Sequence, residues 1–304
     1  MQPRLDPEGL FDLRYRTFLE TVSHLRVRLH RYCARMTGSV IDGEDVLQET
    51  LVKAIEAFPH TGPLANVEGW LFRIAHNASL DFLRRRSRRE GVQDGDEALE
   101  AIADPDSEIE RRQAAAASLR TLMRLPVAQR SSVILMDVLG HSLEEISEVL
   151  ESTVPAVKAN LHRGRQRLVE LAAEPDDRPP PMLAEADRQR LAAYVARFNA
   201  RDFDALRAQL ADEVKVEVVN RTRLNGRGEV GRYFGNYSQS RDWYLVPGLV
   251  EGRPAVVVLD PDQPAGPPLY FMLIDWQDGH LLNVRDFRYA RYVVDGAELS
   301  FNAL

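Results

Sequence analysis

The stretch "GWLFRIAHNASLDFLRRRSRRE", residues 69–90, runs an apolar helix into a dense group of arginines. Apolar residues such as Leu71, Ile74 and Ala78 recur along its first half with the 3.6-residue spacing of an α-helix. Arginines then dominate its end: Arg84, Arg85, Arg86, Arg88 and Arg89. Because the whole chain carries a net charge of -7, this local positive charge indicates a local anionic partner.

An acidic amphipathic helix is predicted just before this stretch, in "DGEDVLQETLVKAIEAF", residues 42–58. Val46, Leu47 and Leu51 share one face of this helix, as expected for residues that pack on a core. The carboxylates lie towards the other side: Asp42, Glu44, Asp45 and Glu49. An acidic helix face is often simply solvated, so this pattern alone identifies no partner.

A second helical segment, residues 143–171, has the proportions of a helix-turn-helix. Ser142 and Glu145 are spaced as a capping box at the start of its first helix. Ser152 or Thr153 can cap its second helix, which is predicted over residues 154–171.

The second helix of this pair is strongly basic on one side. Lys158, His162 and Arg165 follow at i, i+4 and i+7 and therefore share a face. Such a face suits contacts with base edges and phosphates in a DNA groove. A basic helix that is merely solvated in a helical bundle would show the same pattern.

The last third of the chain has a different character. One or two helices are predicted within residues 184–210, and strand-like runs follow. These runs are "VKVEVV", "PAVVVLD", "LYFMLIDW" and "HLLNVRDFRYARYVV". The predicted fold class is therefore multidomain, with an all-α part followed by an α+β domain.

Composition limits the function classes. A chain of 304 residues with 44% hydrophobic and 28% charged residues is typical of a soluble globular protein of two or three domains. Cys33 is the sole cysteine, so no disulfide can form within the chain, and no Cys/His cluster has zinc-ligand spacing. No signal peptide or membrane-spanning run is found, and we expect a cytoplasmic protein without metal or cofactor.

The two helical segments together resemble the sigma-70 family, and specifically its extracytoplasmic-function (ECF) group. The resemblance rests on "DGEDVLQETLVKA" and "WLFRIAHNASLDFLRR", followed by "LPVAQRSSVILMDVLGHSLEEISEVLESTVPAVKANLHRGRQRL". It implies a sigma region 2 over residues 10–90, a flexible linker over 91–111 and a helix-turn-helix sigma region 4 over 112–172.

The resemblance implies two partners. Core RNA polymerase would be held through its β′ coiled coil and β flap, and promoter DNA at its −10 and −35 elements. The polymerase-facing residues implied in the acidic helix are Asp42, Glu44, Asp45, Gln48, Glu49 and Leu51. The DNA-binding residues implied are Arg73, Asn77, Arg84, Arg85, Arg86, Arg88, Arg89, Lys158, Asn160, His162, Arg163 and Arg165.

The α+β part resembles NTF2-like, or SnoaL-like, domains, on the order of its elements and on "FNARDFDALRAQLADEV". The resemblance implies a cone-shaped regulatory domain over residues 185–304, after a linker over 173–184. Its pocket could take a small ligand, and the pocket candidates are Trp243, Asp275 and Asp286, with Tyr233 and Tyr289 in a wider set.

The interpretation is a sigma factor that directs promoter recognition and DNA melting, is regulated in cis by its last domain and is not an enzyme. One alternative is a DNA-binding regulator whose NTF2-like domain is an enzyme or senses a ligand. A plain helix-turn-helix repressor is another, and it would need no acidic helix to grip polymerase.

Overall fold

A computed structural model describes residues 7–91, 108–174 and 181–301. The chain divides into two compact units, Met1–Asp176 and Asp177–Leu304, and each unit is described by itself. The first unit is helical in its described part, and the second is α+β. Among the described helices, none combines the length and apolar character needed to cross a membrane.

Three long helices open the first unit: α1 (Pro7–Thr37), α2 (Val40–Ala57) and α3 (Val67–Glu90). The side chain of Ser39 caps α2 by accepting a hydrogen bond from the backbone of Asp42, and Asn66 caps α3 in the same way. Helix α3 ends at Gly91, which has a φ of 69°. A glycine adopts this left-handed conformation without steric cost, so the arginine-rich helix stops there.

Five shorter helices complete the first unit: α4 (Glu108–Ala116), α5 (Leu119–Leu122), α6 (Val127–Val133), α7 (Leu143–Val149) and α8 (Val154–Ala172). The Ser142–Glu145 capping box predicted for α7 is confirmed, and Thr153 caps α8. A π-helical segment, Ile134–Val138, continues α6. The linker predicted over 91–111 lies mostly outside the described residues, and its last four positions are already helical in α4.

Both helical segments contribute to one hydrophobic core in the first unit. His141, just before α7, is buried with its ring edge against Phe72 of α3, at 4.8 Å between ring centroids. Arg28 of α1 donates to the carbonyl of Leu139 at 3.0 Å, and Arg130 of α6 donates to the carbonyl of Met36 at 2.8 Å. The two segments therefore pack together instead of forming separate cores.

The second unit starts with α9 (Glu185–Asn199) and α10 (Phe203–Ala208). The hairpin β1 (Leu210–Val218) and β2 (Thr222–Asn225) precedes α11 (Gly226–Gln239). Four strands then follow: β3 (Tyr244–Val250), β4 (Arg253–Leu259), β5 (Tyr270–Gln277) and β6 (His280–Asp286). A short β7 (Leu299–Phe301) lies near the end. This element order is the one that the NTF2-like resemblance implied.

The strands form a single sheet in the order β2-β1-β6-β5-β4-β3-β7. Strands β1 and β6 pair in parallel and the other neighbours pair antiparallel. Side chains of α9, α10 and α11 form one apolar core with inward residues of the sheet. The predicted run over 280–294 is strand only to Asp286, because the chain then turns into a 3-10 helix at Arg291–Val294.

Candidate functional site

The exposed face of α2 is narrower than the resemblance implied. Asp45 is exposed, and Asp42, Gln48 and Glu49 are partly exposed. Glu44 is a correction to the polymerase-facing set: it is 0% exposed and pairs with Arg26 of α1 at 3.0 Å. Leu51 is a second correction, since it is buried in the core of the unit. Positions 44 and 51 are seven residues apart, so both turn towards the packed side of the helix.

The same exposed face of α2 carries apolar residues that the sequence reasoning did not select. Val52 is 54% exposed and Ile55 is also exposed. Val52 lies seven residues, or two helical turns, after Asp45 and therefore on the same side. The face thus combines carboxylates with exposed apolar side chains, a combination that suits a protein partner better than bulk water.

Glu49 links the acidic helix to the arginine-rich one. Its carboxylate accepts from Lys53 at 2.8 Å and from Arg85 of α3 at 2.9 Å. Burial acts to raise the pKa of Glu49, but the hydrogen bonds and charges of Lys53 and Arg85 lower it below its ordinary value. Glu49 is therefore a charged neighbour of the arginine group.

Helix α3 presents Asn77 to solvent, where its amide can both donate and accept. Arg73, one turn earlier, faces Glu151 of the helix-turn-helix at 3.6 Å. His76 turns inward and shares a hydrogen bond of 2.8 Å with the hydroxyl of Tyr32. Burial, with a smaller effect of the charge on Arg84, lowers the pKa of His76 to about 4. The sequence reasoning did not select His76.

The five arginines at the end of α3 are all exposed, but three of them have carboxylate partners within the unit. Arg84 pairs with Asp81, Arg85 with Glu49 and Arg86 with Glu90, at 3.3, 2.9 and 3.0 Å respectively. Surface ion pairs contribute only about 0–1 kcal/mol, so phosphates can displace such partners. Arg88 and Arg89 form no ion pair with any residue that the structure describes.

The recognition helix α8 confirms some expectations about exposure and corrects one. Lys158 is exposed, and Asn160, His162 and Arg163 are partly exposed, with Arg163 donating to Asn160 at 2.9 Å. Arg165 was expected to bind DNA, but it is 3% exposed and makes two hydrogen bonds, of 2.9 and 2.7 Å, to Asp137. Its position borders the packed side of α8, and its long side chain reaches back to the π-helical segment. The guanidinium is therefore committed to the interior.

In the second unit, the pocket candidates separate. Asp275 is exposed on β5, next to an irregularity in the pairing with β6, and is removed from the pocket set. Trp243 is buried and donates from its indole nitrogen to the hydroxyl of Ser240 at 3.0 Å. Asp286, at the end of β6, is 1% exposed and lies inside the unit. Tyr289, from the wider set, is exposed.

Asp286 is the centre of a buried polar cluster. Its Oδ2 atom accepts from the hydroxyls of Tyr233 at 2.8 Å and Tyr237 at 2.7 Å, and its Oδ1 atom accepts from the backbone N–H of Arg288 at 2.9 Å. Burial raises the pKa of Asp286, and these three hydrogen bonds oppose that rise. Since three donors converge on it, we describe the group as a carboxylate.

The cluster extends to the surface through Tyr270 and Arg288. The Tyr237 and Tyr270 hydroxyls lie 3.2 Å apart, and Arg288 donates to the Tyr270 hydroxyl at 2.8 Å. Arg288 also pairs with the exposed carboxylate of Asp242 at 2.7 Å. Burial raises the pKa of Tyr270 to about 12, with a smaller effect of the Asp286 charge. Of the residues in this network, only Tyr233 and Asp286 were selected from the sequence.

Comparison with known proteins gives two family matches in the first unit. The family model described as Sigma-70 region 2 matches residues 21–89, and the one described as Sigma-70, region 4 matches residues 117–168. The domain boundaries expected above are not tested by these matches and stay predictions.

Individual relatives carry related names. The chain is 30% identical over 205 residues to "ECF RNA polymerase sigma factor SigG" of Mycobacterium tuberculosis, across 60% of this chain and 55% of that one. It is 33% identical over 144 residues to "ECF RNA polymerase sigma factor SigM" of the same species, across 47% of this chain and 71% of that one. The chain thus spans about half the length of the first of these relatives.

Among solved structures, the chain is similar to that of the Mycobacterium tuberculosis extracytoplasmic function sigma factor SigJ. The identity is 19% and the TM-score is 0.35, over 88% of this chain and 95% of that one.

Proposed function

Because this chain belongs to the ECF group of the sigma-70 family, we propose that it acts as a promoter-specificity factor of RNA polymerase. In this role it binds the core enzyme, directs it to promoters and helps to separate the strands. The names of the relatives support this interpretation and lend no support to the alternatives of a ligand-sensing regulator or a repressor.

The proposed polymerase contact is the exposed face of α2. Asp45, with Asp42 and Glu49 beside it, offers negative charge, and the exposed apolar side chain of Val52 offers contact area. Mixed charged and apolar surfaces are typical of specific protein interfaces. We propose that the β′ coiled coil of the polymerase binds this face and that the β flap binds the helix-turn-helix.

The proposed contact with the −10 element lies on α3. The observation that carries it is an exposed amide, Asn77, on the same helix as an exposed arginine group. Removing a base from the stack costs a few kcal/mol, so a pocket must return hydrogen bonds and stacking to the displaced base. We propose that Asn77 contacts such a base and that the arginines hold the adjacent phosphates.

The proposed contact with the −35 element uses α8 of the helix-turn-helix. Lys158 and His162 lie on its accessible side, with Asn160 and Arg163 beside them. We propose that these residues meet bases and phosphates in the major groove. The mechanism is recognition and strand separation in the cytoplasm, without covalent chemistry.

We further propose that the second unit regulates the first in cis. It is compact by itself and is not required by the two matched sigma regions, which end at residue 168. Two compact units in one chain allow their relative arrangement to carry a signal.

The decisive experiment is reconstitution with core RNA polymerase, followed by transcription from a promoter library. Asp45→Arg reverses the charge at an exposed α2 position, and we expect polymerase binding to weaken by at least tenfold because opposed charges become like charges. Glu213→Arg is the matched control, since it makes the same change at an exposed position of β1. Equal binding by both variants, or no association of the wild-type chain with core enzyme, would contradict the proposal.

A further inference from the structure

The α+β unit buries an unusual number of polar groups in its apolar core. Four tyrosine hydroxyls and one carboxylate lie among aliphatic and aromatic side chains: Tyr194, Tyr233, Tyr237, Tyr270 and Asp286. Burying a hydroxyl or a carboxylate is unfavourable unless hydrogen bonds replace those made to water. Each of these groups therefore needs a hydrogen-bond partner inside the unit.

Most of these hydroxyls have a fixed direction of donation. Tyr233 and Tyr237 both give their protons to Oδ2 of Asp286. Because Tyr237 has already donated its only proton, the contact with Tyr270 requires Tyr270 to donate and Tyr237 to accept. Arg288, which can only donate, supplies the bond to the Tyr270 oxygen. The chain from Arg288 to Asp286 is thus satisfied.

Tyr194 stands outside this chain. Its residue is 1% exposed, and its hydroxyl has no hydrogen-bond partner in the structure. Burial raises its pKa strongly, and the charge on Asp286 adds to the effect, so the hydroxyl lies within electrostatic reach of that carboxylate. A buried hydroxyl without a partner costs roughly 1–3 kcal/mol.

Asp286 has unused acceptor capacity on the atom that does not bind the two tyrosines. Each carboxylate oxygen can accept two hydrogen bonds, and Oδ1 accepts only the backbone N–H of Arg288. The site therefore offers one free donor, on Tyr194, and one free acceptor, on Asp286.

The surroundings of this donor and acceptor are apolar and aromatic. The Phe198 ring lies 5.8 Å from that of Tyr194 and 5.2 Å from that of Trp243, with both distances between ring centroids. Met272 lies beside the Tyr233 hydroxyl, at 3.7 Å from its sulfur. These contacts favour a compact ring over a long or charged molecule.

We propose that the α+β unit binds a small, neutral ring compound through a single hydroxyl group, which accepts from Tyr194 and donates to Asp286. A hydroxyl is the group that matches, because it offers one donor and acceptor lone pairs on the same atom. An anion would meet the carboxylate of Asp286 at close range, and an ammonium group would bring no acceptor for Tyr194.

The test uses 4-fluorophenol as the probe and follows its fluorine NMR signal with the full-length chain. 4-Fluoroanisole is the matched probe, since it keeps the ring and an oxygen acceptor but has no proton to donate. We expect a saturable shift for 4-fluorophenol and binding of 4-fluoroanisole that is weaker by about twofold to tenfold, the usual range for one neutral hydrogen bond.

Tyr194→Phe removes only the free hydroxyl, and Tyr289→Phe makes the same change at a side chain that is 50% exposed. We expect 4-fluorophenol affinity to fall by about twofold to tenfold in the first variant and to stay unchanged in the second. A saturable shift that is equal in Tyr194→Phe and wild type would overturn the proposal, as would equal binding of the two probes.

Thermal unfolding supplies a second readout. If Tyr194 were only an unsatisfied core group, Tyr194→Phe would raise the unfolding midpoint and the wild-type chain would give no saturable shift, and the proposal would fail. The assay contains neither polymerase nor DNA, so its outcome is independent of the function proposed above for the first unit.

Discussion

His76 is a single residue whose burial makes the stability of the helical unit depend on pH. It lies within α3, between the base-reading candidate Asn77 and the core, and its ring meets the hydroxyl of Tyr32. A neutral imidazole fits this place, whereas an imidazolium would have to lose its hydration. This cost explains why the pKa of His76 falls to about 4.

A pH series should therefore reveal His76 in the free energy of unfolding. The unfolded chain takes up a proton at the ordinary pKa of 6.5, and the folded chain only near 4, so protonation favours the unfolded state between these values. We expect stability to be full above pH 6.5 and to fall by at most about 3 kcal/mol as the pH approaches 4.

The measurement is urea unfolding of the wild type and of His76→Gln at several pH values. His30 and His141 also have lowered pKa values, because of burial, and they remain in both proteins. The difference between the two pH profiles therefore isolates His76. Parallel profiles would show that this histidine does not titrate as the structure implies.

At the scale of elements, α8 is oriented by a residue that was expected to face DNA. Arg165 and Asp137 form a buried pair between the recognition helix and the π-helical segment Ile134–Val138. Gly164 beside it allows close approach, since a Cβ atom there would lie 2.8 Å from the Val133 side chain. Removing one partner of a buried pair leaves an uncompensated charge, so this contact holds α8 at a defined angle.

The end of α3 permits a quantitative test of its role in binding phosphates. Arg88 and Arg89 are the arginines of the group without an ion-pair partner in the described chain. Replacing both by Gln should lower the slope of log affinity against log salt concentration by about 0.9 for each phosphate that is no longer neutralised. Binding of the reconstituted polymerase complex to promoter DNA, measured over a range of salt, gives this slope.

The control for this experiment removes two charges elsewhere. Arg232 and Arg241 are exposed in the second unit, and replacing both by Gln makes the same change in net charge. An unchanged slope for Arg88→Gln with Arg89→Gln, or an equal decrease in the control, would remove these arginines from the DNA interface.

At the scale of the whole molecule, the division into two compact units separates the sigma regions from the α+β part. The core of the first unit is built from α1 to α8, and that of the second from α9 to α11 and the sheet. Because each core closes on its own elements, the first unit is expected to fold without the second.

Deletion of residues 177–304 tests regulation in cis. We expect the shortened chain to keep its helical circular dichroism and its polymerase binding, because both matched regions are retained. Transcription from its promoter should change several-fold, since the regulating unit is gone. A folded, polymerase-binding chain with unchanged transcription would contradict the proposed regulation.

Local sequence was sufficient wherever the interactions are local. The capping box at Ser142 and the cap at Thr153 follow from residues three positions apart, and both occur in the structure. Helix α11 was not foreseen, because it contains Gly226, Gly228, Gly231 and Gly235, which disfavour a helix. Burial of Val230 and Phe234 against the sheet overrides that propensity.

By itself the sequence determined the family, the order of the helical segments and the α+β character of the last third, because periodicity and motif order are properties of neighbouring residues. Tertiary structure alone decided that Glu44 and Arg165 face inward, since each borders a packed face and its fate depends on Arg26 or Asp137 across from it. It also decided the cluster at Asp286, whose partners come from α11, β5 and the turn after β6. Such contacts depend on how distant elements meet, which no local pattern encodes.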